Sequence, residues 1–200
     1  MGYSTRYLAS DIFAVRGSIG SGDEALLAEI EKKSADQIRH VDAWFEGEAP
    51  SLREALRELI IDCPVVTEAS AYMYWYAVEL LCEHHGTDLG SADWRALYGE
   101  DPLPTRLAEW TSPLDLPEPP DFPAIAFVGL EQMPAEIERL RPLTRDPALE
   151  AALANVEAQN VRVIDVLRLG VGGRALDAGH VIDLMTQAQR LGRDLIGFTY

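Results

Sequence analysis

One run of residues in the first half of the chain limits the folds that are open to it. Residues 71–82 read AYMYWYAVELLC and are apolar nearly all round a helix. Such a helix belongs at the centre of a domain, where other elements cover it on every side. The pattern therefore predicts a long central helix over residues 66–85, with Gly86 as the residue that follows its last turn.

Three shorter patterns predict strands. Residues 3–8 alternate aromatic or apolar with polar side chains, residues 124–128 form a continuous apolar run, and residues 195–200 are mostly apolar. The remaining patterned segments predict helices that begin near Asp11, near Ser21 or Asp23, and near residues 34, 51, 134, 148 and 178. We therefore expect an α+β fold, predominantly helical, with a small sheet built from the N-terminal, middle and C-terminal strands.

The length of the chain favours one domain over residues 1–200. A domain of this size buries roughly 70% of the surface that its unfolded chain exposes, which is enough for a hydrophobic core. Seven of the 12 prolines fall within a proline-rich excursion at 99–123, where regular helix is disfavoured. This excursion is either an internal linker or a segment packed on the surface, and Trp94 and Trp110 near its ends favour packing.

The net charge of -16 excludes some classes of function and leaves others open. Acidic surfaces repel phosphate backbones and anionic lipids, so we expect neither nucleic acid nor a membrane as a partner. A basic protein partner or a homo-oligomer is compatible with the charge, and so is solubility alone. The N-terminus lacks the apolar core of a signal peptide, and no segment approaches the ~20 apolar residues of a membrane span, so we expect a cytoplasmic protein.

Templates for catalysis and cofactor binding are weak in this sequence. The glycines of the segment 17–22 resemble a phosphate-binding loop, but Asp23 and Glu24 follow at once and the loop has no Lys. Cys82, His84 and His85 do not share one helix face, which disfavours a metal site. We therefore expect no metal ion and no cofactor.

A stripe on the central helix is the best candidate for a binding site. Its residues are spaced by three or four positions, so they fall along one face of the helix. Carboxylates that alternate with aromatic rings suit a pocket for a cation or a polar small molecule, whereas the plainer interpretation is a solvent-facing or interface stripe. The candidate ligand-binding residues are Glu68, Tyr72, Trp75, Glu79 and Glu83, together with His84 in the last turn.

Several segments resemble a known group of proteins. The opening Met1-Gly2-Tyr3, the segment 20–27, the run 76–83 and the ending 192–198 are similar to the YfbM-like group of small bacterial proteins of unknown function. The resemblance covers about half of the chain and consists of structural motifs. It implies an α+β fold with strands at both ends, and it supplies no catalytic residue.

Three hypotheses of function remain open. The first is a binding or protein-interaction module, for example an immunity- or antitoxin-like inhibitor of a basic protein. The second is a small enzyme that uses Glu79 or His84 as a general base in a pocket on the central helix. The third is a homodimer whose acidic surface provides solubility. Glu79 and His84 in one enclosed cavity would favour the enzyme.

Overall fold

The computed structural model describes residues 4–48, 50–62, 64, 66–67, 69–93, 114–117, 123–145 and 173–200. Most of the proline-rich excursion lies outside the described residues, as do Trp94 and Trp110. The helix predicted from residue 148, Cys63 and Glu68 also lie outside them.

The described residues form four strands and seven α-helices. The strands are β1 (Ser4–Ser10), β2 (Gly86–Asp93), β3 (Ala124–Val128) and β4 (Asp194–Thr199). The helices are α1 (Ile12–Ser18), α2 (Glu24–Lys33), α3 (Ala35–Trp44), α4 (Leu52–Arg57), α5 (Ala71–His84), α6 (Met133–Leu140) and α7 (Gly173–Leu191). A π-helical turn (Glu58–Asp62) continues α4, and a 3-10 turn (Arg141–Thr144) continues α6.

The predicted fold class is confirmed. All four strands pair in one antiparallel sheet in the order β2-β1-β4-β3, and most of the described structure is helical. Strands lie at all three predicted positions. Strand β2 was not predicted, because its sequence GTDLGSAD has no alternation of apolar and polar side chains that would mark a half-buried strand.

Local side-chain bonds explain several of the helix starts. Asp11 accepts a hydrogen bond from the backbone N–H of Ala14, and Asp23 accepts two such bonds at the start of α2. Ser51 and Glu54 form a capping box at the start of α4. These caps fix the ends of short helices that have little stability by themselves.

The central helix begins later than predicted, at Ala71 instead of residue 66. The hydroxyl of Ser70 bonds both the N–H and the carbonyl oxygen of Thr67, which holds the preceding segment in a turn. Gly86 follows the helix as predicted, directly after the capping residue His85. His85 ends the helix, and Gly86 begins β2 at a point where an added Cβ would lie 2.5 Å from the carbonyl oxygen of Ala9.

Helices cover both faces of the sheet. On the α5 face, Leu8, Ile196 and Phe198 pack into a core that α1–α5 complete. On the α7 face, Tyr7, Ala9 and Leu195 pack against α6 and α7, whose buried side chains are Met133, Ile137, Leu140, Ala178, Val181, Leu184, Met185 and Ala188. Successive side chains of a strand point to opposite faces, so the single strand β1 contributes to both cores.

Candidate functional site

An ion cluster lies between the sheet and the central helix. Arg6 of β1 donates a hydrogen bond from Nη1 to Oε1 of Glu79 at 2.9 Å, and the same nitrogen lies 3.1 Å from Oε2 of Glu83. Its Nε and Nη2 both donate to Oδ2 of Asp88, at 3.0 and 2.8 Å. One guanidinium therefore meets three carboxylates from two different elements, α5 and β2.

A β-bulge brings Asp88 into this cluster. Tyr7 pairs with Gly90 and Leu8 with Asp88, so that Leu89 is an extra residue in β2. Gly90 has φ +98°, a conformation that glycine adopts without strain, and its N–H donates to Oδ1 of Asp88 at 2.7 Å. Bulges re-aim side chains in this way, and here the result is a carboxylate directed at Arg6.

Glu79 is the deepest charged group of the cluster. Its side chain is 2% exposed, and its second oxygen, Oε2, accepts a hydrogen bond from the hydroxyl of Tyr200. Burial raises the pKa of Glu79 to about 7, although the hydrogen bond and the charge of Arg6 act in the opposite direction. The carboxyl group is therefore poised to gain or lose a proton near neutral pH.

Arg6 in β1 and its partner Asp88 in β2 stay charged. Burial disfavours the charge of Arg6, but its hydrogen bonds to Asp88 and Glu79 raise the pKa of the guanidinium above its ordinary value. Burial also opposes the charge of Asp88, yet the Gly90 N–H and Arg6 together hold the pKa of its carboxyl below the usual range. Among these three groups, only the Glu79 carboxyl has a pKa near neutral pH.

A cavity of about 240 Å³ adjoins the cluster on the far side of Tyr200. The ring of Tyr200 stacks on that of Tyr76 with centroids 5.4 Å apart and planes 20° apart. Phe45 follows at 5.8 Å from Tyr76, and Trp44 is 72% exposed at the rim. We call this cavity the aromatic pocket; its lining residues are His40, Val41, Trp44, Phe45, Tyr76 and Tyr200.

The electrostatic surroundings of the aromatic pocket are negative. The pocket lies at the C-terminal end of α3, where the helix dipole is negative and the last turn has no basic residue. Asp42, Glu46 and Glu48 belong to the same segment, and the sequence has no Lys or Arg from residue 40 to residue 52. Burial and the charge of Glu79 raise the pKa of Tyr76 to about 12, so the potential of the cluster reaches the pocket wall.

His84 lies in a different place. With His85, Asp11, Thr87 and Arg193 it lines a polar cavity of about 380 Å³. Arg193 forms an ion pair with Asp11 there. Burial, followed by the neighbouring His84, lowers the pKa of His85, whose Nε2 lies 2.8 Å from the hydroxyl oxygen of Ser18. Glu79 lines neither this cavity nor the aromatic pocket.

The predicted stripe is only partly assembled as one site. Glu79 and Glu83 meet at Arg6, as expected of two residues on one helix face. Trp75 is fully buried, and its indole N–H donates to the carbonyl oxygen of Pro117 at 2.8 Å. Tyr72 lies at the surface, where its hydroxyl donates to Glu48 at 3.5 Å. Trp75, Glu79 and Glu83 thus face the core or the sheet. The residue of α5 that lines the aromatic pocket is Tyr76, which is not part of the predicted stripe.

The site is completed by residues that were not predicted from the sequence: Arg6, Asp88, Tyr76, Tyr200 and Trp44. One signal was present, because Glu79 is the only charged residue of the apolar run 71–82. A buried carboxylate needs a cationic partner, so some Arg or Lys had to lie against this helix. The sequence did not say which one, since Arg6 is 73 positions away.

The described residues contain no group of three or more His, Cys, Asp or Glu side chains that could hold a metal ion. Cys82 is completely buried, and burial raises the pKa of its thiol, which keeps the sulfur protonated and unreactive. Within the same part of the chain, no helix combines the length and the apolarity needed to cross a membrane.

Comparison with known proteins gives one family. Neither the curated proteins nor the solved structures yield a match, and nothing links the chain to YfbM-like proteins. The model of a domain of unknown function, DUF7691, matches residues 1–200. Because the match spans the whole sequence, the chain belongs to the DUF7691 family.

Proposed function

We propose that this protein is a binding module that recognises a basic partner protein through the C-terminal end of α3. The surface concerned is formed by residues 40–48, which we call the α3 patch. The observation that carries the proposal is the exposed indole of Trp44 at the rim of a preformed aromatic pocket. Tryptophan beside such a pocket is the residue type most often found to anchor protein interfaces.

The charge of the α3 patch supports a basic partner. Its carboxylates, Asp42, Glu46 and Glu48, stand at the negative end of a helix. The net charge of -16 adds a long-range attraction that speeds the approach of a cationic protein. An inhibitor of a basic protein, of the immunity or antitoxin kind, is one concrete form of this function, and the cytoplasm is the proposed site of action.

The cavities of the described residues favour binding over catalysis. An enzyme with Glu79 or His84 as general base needs that group within reach of a substrate. Glu79 is buried with both oxygens occupied by Arg6 and Tyr200, whereas His84 faces another cavity. The aromatic pocket, in contrast, is open to solvent, with the exposed ring of Trp44 at its rim.

Two variants with equally exposed rings test the role of the α3 patch. Wild-type protein is immobilised to isolate and identify a basic partner from its host at low salt, and the purified pair is then measured by calorimetry. Because anchor residues contribute about 2 kcal/mol or more, we expect Trp44→Ala to weaken binding by roughly 30-fold. The matched control is Phe13→Ala on α1, where the ring is 78% exposed and lines a different cavity, of about 470 Å³.

The affinity of the purified pair is also expected to fall as salt is added, because charge attraction contributes to it. Recovery of no basic partner, or an equal loss with Trp44→Ala and Phe13→Ala, would sink the proposal. A dimer that sediments as such in the wild type and dissociates with Trp44→Ala would instead show that the patch binds a second copy of the chain.

A further inference from the structure

We infer that the aromatic pocket receives the guanidinium group of one arginine side chain from the basic partner. This inference rests on the proposed function and gives the pocket a ligand of defined chemistry. Four observations carry it: the size of the pocket, the aromatic character of its walls, the carboxylate behind Tyr200, and the helix end on which the pocket is built.

The size of the pocket fits a single side chain. Its volume of about 240 Å³ lies below the range of roughly 300–1,000 Å³ that is typical of cavities for small-molecule ligands. The head group and the adjoining methylenes of one long side chain occupy much less room than such a ligand. A pocket of this size at a surface with exposed Trp44 is therefore suited to one inserted residue of a larger partner.

The walls of the pocket favour a planar cation. Trp44, Phe45, Tyr76 and Tyr200 present aromatic rings, and a ring face attracts a positive charge placed over it. A guanidinium stacks flat on such rings and loses less hydration than the compact ammonium of lysine. In a pocket with mostly apolar walls, this difference in the cost of desolvation selects arginine over lysine.

The ion cluster supplies negative charge behind one wall of the pocket. The hydroxyl of Tyr200 donates a hydrogen bond to Glu79, which makes the Tyr200 ring richer in electrons and a better partner for a cation. Arg6 is a single positive charge among Glu79, Glu83 and Asp88, so the cluster keeps an excess of negative charge. Arg6 cannot itself fill the pocket, because its guanidinium is held by these three carboxylates.

The position of the pocket on α3 adds a second source of negative potential. The last carbonyl oxygens of a helix carry partial negative charge, and basic side chains in the last turn usually offset it. The last turn of α3 has none. A guanidinium in the aromatic pocket would supply the cation that this helix end lacks.

A pair of nearly isosteric ligands tests the inference on the full-length protein. N-acetyl-arginine methylamide and its citrulline counterpart differ in the charge of the head group and hardly in its shape. Each is titrated against the wild type, with Trp fluorescence and amide NMR shifts as readouts. We expect arginine to bind with Kd of about 1 mM, as suits a ligand of this size, and about tenfold more tightly than citrulline.

Three variants locate the binding event. Trp44→Ala is expected to abolish measurable binding, and Phe13→Ala to leave it unchanged. Tyr200→Phe keeps the ring but removes the hydrogen bond to Glu79, so we expect a loss of about threefold in affinity for arginine and none for citrulline. The thermal unfolding of each variant is recorded alongside, and the two exposed positions provide variants that keep the fold.

Several results would overturn the inference. They are equal binding of arginine and citrulline, tighter binding of the matching lysine derivative, NMR shifts confined to residues that do not line the aromatic pocket, and no binding of arginine at all. Failure here is separable from failure of the proposed function. A basic partner that needs Trp44 but keeps its affinity after its interface arginines are changed to lysine would leave the binding module in place and remove arginine as its ligand.

Discussion

The two faces of the sheet share the strands β1 and β4 but are filled with different chemistry. The α7 face has an uncharged core, in which the Tyr7 ring and Leu195 pack against Leu184 and Met185. The buried hydroxyls of Thr5 and Thr199 pair with each other there at 2.7 Å. The α5 face combines a larger apolar core with the Arg6 ion cluster, in which Glu79 is 2% exposed.

The difference shows that the free-energy cost of burying charged groups falls mainly on the α5 face. Removal of charged groups from water is expensive, and an apolar pair of similar size often serves stability as well or better. The α7 face follows the cheaper solution in its fully buried core, and the ion pair of α6 between Arg139 and Glu136 keeps both side chains partly exposed. The α5 face keeps Glu79, a carboxyl group with a raised pKa, close to an open pocket. Such a combination is common at functional sites.

The largest expected effect comes from removing the cation of the α5 face. Arg6→Met leaves Glu79 buried without its partner, and we expect a loss of about 3–5 kcal/mol in the free energy of unfolding at pH 8. The loss should shrink at pH 5.5, because Glu79 then becomes neutral. Urea unfolding at both pH values measures the effect.

Leu184→Ala on the α7 face is the matched control for Arg6→Met. Deletion of this buried side chain costs about 2–5 kcal/mol through the cavity that it leaves, and the cost should be the same at both pH values. If the two variants showed the same pH dependence, the contrast between a charged and an uncharged face would be wrong.

A second pair of variants compares close packing on the two faces. A Cβ on Gly86 would lie 2.5 and 2.6 Å from the carbonyl oxygens of Ala9 and Cys82, which are backbone atoms of β1 and α5. A Cβ on Gly197 would meet the Tyr7 ring at 3.1 Å and the Thr5 methyl at 3.2 Å. Side chains give way more easily than backbone, so we expect Gly86→Ala to cost about 3 kcal/mol and Gly197→Ala about 1 kcal/mol.

Thermal unfolding of the two glycine variants gives the comparison directly. The lower melting temperature should belong to Gly86→Ala. The reverse order would mean that the junction between α5 and β2 is more adaptable than the contact of Tyr7 with Gly197.

The most gradual effect is a slope of stability with pH, which is small over any one pH unit. Burial raises the pKa of Glu79 in the folded state to about 7, above its ordinary value of 4.5, so the folded state binds more protons than the unfolded state between these values. The free energy of unfolding therefore falls as pH rises from 4.5 to 7, by at most ~1.4 kcal/mol per pH unit from this group. Glu79→Gln is expected to remove this contribution.

The slope is obtained as the difference between wild-type and Glu79→Gln unfolding curves across that range. The difference is needed because His85, whose pKa burial lowers, acts with the opposite sign below pH 6.5. Parallel curves for the two proteins would show that Glu79 binds as many protons in the folded as in the unfolded state, so that burial does not raise its pKa.

Much of the fold was predictable because its signals are local. The apolar run 71–82 required a covered helix, and β3 was marked by its continuous apolar sequence. Asp11 and Asp23 stand where caps are needed, and both act as caps. The later start of α5 was not predicted because it depends on a hydroxyl bond between Ser70 and Thr67 that competes with the helix.

The site was less predictable because its parts come from distant segments. Glu79 was selected from the helix pattern, but its partners Arg6 and Tyr200 lie 73 and 121 positions away. Asp88 reaches Arg6 through a bulge in a strand whose polar sequence gave no strand signal. Trp44 was placed on a predicted helix without any indication that its ring would stay exposed.

Local sequence patterns and composition were enough to predict a covered central helix, three strands, the main caps and a strongly acidic surface, because each depends on neighbours within a few positions or on residue counts. Which side chains meet depends on the tertiary structure. The pairing of β1 with β2 and β4 set Arg6 among three carboxylates, and the packing of Tyr200 on Tyr76 formed one wall of the aromatic pocket. Contacts across such separations follow from strand register and helix packing, which local patterns do not encode.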